Sequence, residues 1–195
     1  MKRVIAALST ILFLTGCKSM NTNPSGPISK APLLGIIHDS NGFPLSDAAI
    51  TADESKTAVS DINGRFVLPD IALGGHSFSI KKEGYETVQT DLYFSTPAQI
   101  IYTTLISFDD LLEKIVAALK DADSATSKNL ILRAEGINAN SPRLKYLKVL
   151  LFVKTEKYQE AITGIEELIN RYPGSKDLLL TEEEIKNLQG ETHEH

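Results

Sequence analysis

The sequence predicts an α+β chain in two domains, with an N-terminal antiparallel β-sandwich over residues 33–106 and C-terminal α-helical hairpins over 107–189. Three observations lead to this reading. Between Leu33 and Ile106, short apolar runs recur between clusters of Asp, Asn, Gly and Pro, at the spacing of strands in a sandwich. After Ser107 the apolar period lengthens to that of helices. Ahead of both lies a short basic and then apolar start that ends on the only cysteine, Cys17.

Leu33 to His38 is a short apolar strand, and Asp39-Ser40-Asn41-Gly42 follows as a turn in which Asn-Gly supplies positive φ angles. Ala48 to Ala52 and Thr57 to Val59 read as the next strands. Asp61-Ile62-Asn63-Gly64 turns the chain into Phe66-Val67-Leu68, and Ile71 to Gly75 turns it again. Phe78 and Ile80 alternate with Ser77, Ser79 and Lys81, the pattern of a half-buried strand. Gly84-Tyr85 breaks it, and Thr87 to Phe94 and Ile100 to Ile106 complete the set. The two Asp-x-Asn-Gly stretches carry the residue types of calcium loops. An EF-hand loop, however, closes on a Glu at its last position, where this chain has Ile50 and Ala72, so both are read as Asx turns.

Gly35-x-x-x-Asp39-x-x-Gly42-x-Pro44-Leu45-x-x-Ala48-x-Ile50, then Asp61-x-x-Gly64-x-Phe66-x-Leu68, Gly74 or Gly75, Phe78, Ile80 and Gly84-Tyr85 together resemble the carboxypeptidase regulatory-like domain. The resemblance covers about residues 33–94 and implies a transthyretin-like sandwich of about seven strands. Asp47 departs from it, standing where family members often have Gly, and is expected to alter a surface loop and not the fold. The resemblance does not carry peptidase chemistry. A zinc peptidase uses a His-x-x-Glu pair and a further His, whereas Asp39-Ser40-Asn41 follows His38 and Ser77-Phe78-Ser79 follows His76.

In the helical part, Phe108, Leu111, Leu112, Ile115, Val116 and Leu119 share one face, with Ser107 as N-cap and Asp110 completing a capping box. Asp123 or Ser124 caps a second helix holding Leu130, Ile131, Ala134 and Ile137. Ser141-Pro142 opens a third, which runs to about Val153. Thr155 begins a fourth, lined by Tyr158, Ala161, Ile162, Ile165, Leu168 and Ile169 and stopped by Tyr172-Pro173-Gly174. Thr181 to Glu184 reads as a last capping box before Ile185 and Leu188. From Arg143 to Pro173 the chain resembles a tetratricopeptide repeat, carried by Tyr158, Ala161 and the closing Pro173. Val149 and Lys145 depart from that repeat, which places a small residue and an aromatic there. A more degenerate pair spans about 108–138. The resemblance implies stacked hairpins. Two pairs are few, so the helices are expected to pack on the sandwich, on the terminal helix or on a partner.

The amino-terminal stretch combines Met1-Lys2-Arg3 with Val4 to Leu14, apolar apart from Ser9 and Thr10, and is too short for a spanning helix of about 20 residues. Leu14-Thr15-Gly16-Cys17 resembles the lipobox of bacterial lipoproteins. The resemblance covers residues 1–17. It implies removal of 1–16 as a signal peptide by cleavage between Gly16 and Cys17, and lipidation of the Cys17 thiol. Each buried methylene contributes about 0.8 kcal/mol, so several acyl chains hold firmly. Lys18, and not Asp, follows the cysteine, which points to the outer membrane, facing the periplasm. Residues 17–32 then form a lipidated flexible linker, rich in Ser, Asn, Pro and Gly. Residues 190–195 are expected to form a disordered tail. There Glu191, His193, Glu194 and His195 carry metal-ligand chemistry, but a solvated end accounts for them. No metal and no cofactor is expected.

The formal net charge of −5 argues against nucleic acid and against electrostatic attachment to anionic lipid. No nucleophile elbow or phosphate loop is present, and Asp109-Asp110 suits a helix start, so no enzyme is expected. The expected function is that of a membrane-anchored bacterial envelope lipoprotein, non-catalytic, acting as a protein–protein interaction or scaffold module. Its partners are the membrane, through lipid on Cys17, and another envelope protein. The alternative is glycan binding by the sandwich loops. In a chain without Trp that role falls to Tyr85, Tyr93 and Tyr102, and burial of two of them would exclude it.

Overall fold

The structure, a computed structural model, describes residues 29–174, 183–185 and 187. Seven strands, β1 (Lys30–Asp39), β2 (Ala49–Ala52), β3 (Lys56–Val59), β4 (Arg65–Ala72), β5 (Gly74–Lys81), β6 (Val88–Phe94) and β7 (Ile100–Leu105), precede the helices α1 (Phe108–Lys120), α2 (Ser124–Asn138), α3 (Pro142–Lys154) and α4 (Tyr158–Arg171). The strands form a three-stranded sheet in the order β4-β1-β7 and a four-stranded sheet in the order β3-β2-β5-β6.

Alternation along the strands sends one set of side chains inward. Leu33, Ile37, Phe66, Leu68, Ile101 and Leu105 of the first sheet join Ile50, Ala52, Phe78, Ile80 and Phe94 of the second in one buried cluster. Two sheets sharing such an inner layer form a sandwich. It is not wholly antiparallel, as the sequence led us to expect. β7 runs parallel to β1, from Leu34↔Ile100 to Asp39↔Leu105. Alternation specifies which face of a strand is buried but not the direction of a neighbour distant in the chain, and here the chain crosses between the sheets after β6. As β1 and β7 are parallel neighbours, the chain comes into the sandwich at the Lys30 end and leaves at the Leu105 end.

Several boundaries also differ from the sequence reading. β1 begins at Lys30, ahead of Leu33, and Pro32 sits where the pairing with β4 shifts register. A bulge of this kind tolerates a residue without an N–H. β4 continues through Ile71 to Ala72, leaving only Leu73 between it and β5, where a longer turn was expected. The two Asp-x-Asn-Gly stretches fold alike. Asp39 Oδ1 accepts from the N–H of Asn41 (2.9 Å) and Phe43 (2.8 Å), and Asp61 Oδ1 from Asn63 and Arg65 (2.9 Å each). In each Asn-Gly pair only the glycine takes positive φ, because the Asp carboxylate and not a two-residue hairpin sets the turn. Asp47 itself has φ +56°, a conformation that favours glycine and that a short polar side chain tolerates.

The first helix is built directly on the sandwich. Ser107 caps α1, and its hydroxyl accepts from Asp110 N–H (3.0 Å). Asp110 Oδ2 in turn accepts from Ser107 N–H (3.2 Å) and from Ser40 Oγ (2.7 Å) in the loop after β1. Phe108 N–H donates to Gly84 O (2.8 Å), and Glu86 N–H to Ile106 O (2.9 Å). Arg133 of α2 reaches back to Glu86 through two bonds, of 2.8 and 2.6 Å. Leu111, Leu112, Ile115, Leu130, Ile131, Ala134, Leu144 and Leu151 form one helical core. Val149, Tyr158, Ala161, Ile162, Ile165, Leu168 and Ile185 form another. Val116, expected on the inner face of α1, is partly exposed.

Asp123 and Ser141 cap α2 and α3 as expected. Thr155 does not start α4. Its hydroxyl donates to Leu151 O (2.9 Å) and Phe152 O (3.3 Å), closing α3 instead, and α4 begins at Tyr158 with no side-chain cap. Of the last predicted capping box, Thr181 lies outside the described residues.

Candidate functional site

The helices leave a groove along α3. Its first part is a cleft of about 400 Å³ between α2, the end of α3 and the turn into α4. Ile131 and Leu151 turn toward the core and line the cleft from below, together with Phe152. Leu132, one position further round α2, is left 58% exposed at the rim. Lys128 stands one turn before it, and Lys148 and Lys157 complete the edge. Lys148 Nζ donates to Glu135 Oε1 at 2.7 Å. Beyond that ion pair a second depression of about 440 Å³ continues between α2, α3 and α4, lined by Leu144, Val149, Gln159, Thr163 and Gly164 among others. Sequence reading missed this groove. Its only local signal is a leucine beside a core isoleucine, with a lysine one turn earlier.

The outer face of the four-stranded sheet is a second candidate. Thr51, Ser77, Ser79, Gln89 and Asp91 line a shallow depression of about 730 Å³. It adjoins a smaller one bounded by Gly75, Asp91 and Tyr93. Ser79 Oγ is buried and has no partner among the described residues.

The sequence-derived sites fall as follows. Gly16 and Cys17 lie outside the described residues, as do Glu191, His193, Glu194 and His195. Of the three tyrosines, Tyr85 is half-buried against the sandwich core, and its pKa is raised chiefly by burial and then by Asp39 and Asp110. Tyr93 is 71% and Tyr102 65% exposed, but they stand on β6 and β7, in different sheets, and so form no common platform. His38 and His76 are far apart in role. His38 Nδ1 lies 3.2 Å from Thr104 Oγ1, whereas His76 bridges Asp53 Oδ2 (2.5 Å) and Ala72 O (2.7 Å). Asp110 has its pKa lowered, first by the Ser40 hydroxyl and then by Ser107, as befits a capping carboxylate. Asp109 meets Arg143 at 3.1 Å in solvent. Among the described residues no three His, Cys, Asp or Glu side chains gather to hold a metal ion. No described helix is long and apolar enough to cross a membrane.

No protein-family model matches the sequence, and no curated protein matches it. Among solved structures, the chain is similar to 3-chlorocatechol 1,2-dioxygenase from Rhodococcus opacus 1CP, with 15% identity over 40% of this chain and 60% of the other, at a TM-score of 0.34. It is similar to a chain of a type II cohesin–X-dockerin complex from Acetivibrio cellulolyticus, with 19% identity over 49% and 73%, at 0.35. It is also similar to the Bacillus anthracis TIE protein, with 13% identity over 40% and 17%, at 0.36. The chain thus spans less than two thirds of the dioxygenase, and none of these likenesses bears on activity.

Proposed function

We propose that this chain is a lipid-anchored lipoprotein of the bacterial cell envelope, without catalysis, that presents its helices as a docking module for another protein. The sandwich is a carboxypeptidase regulatory-like module serving as a spacer, and the helices are a second, tetratricopeptide-like module. The observation that carries this reading is the parallel pairing of β1 with β7. A tether attached ahead of β1 and helices attached after β7 sit at opposite ends of one sheet, separated by a strand of about 30 Å. The Ser40–Asp110 bond, the Phe108–Gly84 bond and the Arg133–Glu86 pair fasten the helices to that far end. The groove along α3 supplies a surface on which a partner can rest. The test is photo-crosslinking in living cells from single positions spread over α1 to α4, with membrane fractionation of wild type and Cys17→Ser. The reading expects one reproducible protein adduct in the membrane fraction, and loss of that fractionation in Cys17→Ser. Absence of any specific adduct would count against it.

A glycan-binding reading has one observation in its favour, the hydroxyl-lined depression beside exposed Tyr93. It moves the site from the loops to the sheet face, because Tyr85 is half-buried against the sandwich core and Tyr102 lies on the other sheet. Tyr93→Ala should then abolish retention on polysaccharide columns.

A further inference from the structure

We infer that the cleft between α2 and α3 receives an acidic peptide segment bearing a bulky apolar side chain. The inference rests on the docking-module reading above and gives that module's partner a chemistry. The floor is apolar, made by Ile131, Leu151 and Phe152, with Leu132 58% exposed beside it. At about 400 Å³ the cleft lies within the range of sites that enclose a ligand group. Its rim is cationic. Lys128, Lys148 and Lys157 surround it, and the single acid there, Glu135, is already bound to Lys148. Among the described residues neither Lys128 nor Lys157 takes part in an ion pair.

This concentration of positive charge stands out on a chain whose formal net charge is −5. The two lysines without an ion pair favour an acidic segment over a basic one, the charge complementarity that gives electrostatic specificity. The partner is therefore a segment in which leucine or phenylalanine is flanked by Asp or Glu. The apolar group fills the cleft while the carboxylates meet Lys128 and Lys157.

The test uses the purified full chain in detergent and a synthetic peptide with two leucines set among glutamates. Two controls replace the glutamates by lysines or the leucines by serines. Fluorescence anisotropy gives the affinity, and methyl NMR shifts at Ile131, Leu132 and Leu151 locate the contact. The acidic leucine peptide should bind saturably and shift those methyls. Its affinity should fall at least about tenfold in the Lys128→Glu/Lys157→Glu double variant and on raising salt from about 0.05 to about 0.5 M. If circular dichroism shows the double variant unfolded, Leu132→Ser, at an exposed position, should weaken binding instead. Equal binding of the lysine peptide, undiminished affinity in both variants, or no shift at the three methyls overturns the inference. Envelope adducts found alongside those negative results would leave the docking module standing and remove only its proposed preference.

Discussion

His76 presents both ring nitrogens to oxygen atoms, Nδ1 to Asp53 Oδ2 at 2.5 Å and Nε2 to Ala72 O at 2.7 Å. A carbonyl and a carboxylate only accept, so the latch is complete only when both nitrogens carry a proton. The bond to Asp53 raises the His76 pKa against the opposing effect of burial, and the same bond lowers that of Asp53. The His76 contribution is therefore fully present below the ordinary imidazole value and is lost as pH rises through its raised value. The Asp53 contribution is present above the ordinary carboxylate value and is lost as pH falls through its lowered one. Asp53 is 46% exposed, so solvent screens the pair and the effect is modest. Melting curves should give a higher Tm at about pH 6 than at about pH 9, and His76→Gln should remove much of that difference. An unchanged pH difference in His76→Gln would contradict the latch. Packing at a second residue makes a sharper test. A Cβ on Gly164 would lie 2.6 Å from Val149 Cγ2, so the bulk that sets Val149 apart from the repeat pattern is received by this glycine. Gly164→Ala should cost about 1–3 kcal/mol by overpacking, less about 1 kcal/mol returned by the better helix former. In a Val149→Ala background the same change should be neutral or stabilising, as a double-mutant cycle in urea would read.

The joint between strands and helices depends on a few polar groups. Ser107→Ala removes the hydroxyl that caps α1 and should cost about 1 kcal/mol in chemical denaturation. An unchanged midpoint would mean that the cap is dispensable. Arg133→Ala should cost no more than about 1 kcal/mol, since Arg133 is 37% exposed. The caps at Ser107, Asp123 and Ser141 were legible because a cap is a local signal read within a single turn of chain. Thr155 was misread for an equally local reason: its hydroxyl finds the last carbonyls of α3 and not the first N–H groups of α4. The strands were legible by alternation and the turns by Asp and Gly, but the parallel direction of β7 was not, since it depends on a crossing between sheets. The cleft was illegible for a similar reason. α2 and α3 pack neighbours on more than one side and show no single apolar stripe, so Lys157 and the α3 floor join Lys128 and Leu132 only in the assembled helices.

Across the molecule, the sheet topology separates the two ends of the sandwich. A middle strand that begins at one end of the sheet lies beside a parallel edge strand that ends at the other, so whatever holds the chain ahead of Lys30 is kept a strand's length from α1. The acidic balance of the chain gives its body little electrostatic attraction for anionic lipid, so the proposed membrane attachment has to come from the lipid on Cys17. That places the weight of the account on Cys17. The most direct measurement is mass spectrometry of the amino-terminal peptide from protein recovered in the membrane fraction. The expected result is a chain beginning at Cys17, with residues 1–16 absent and a diacylglycerol thioether on the sulfur. A free thiol at Cys17, on protein recovered from the aqueous fraction, would contradict it.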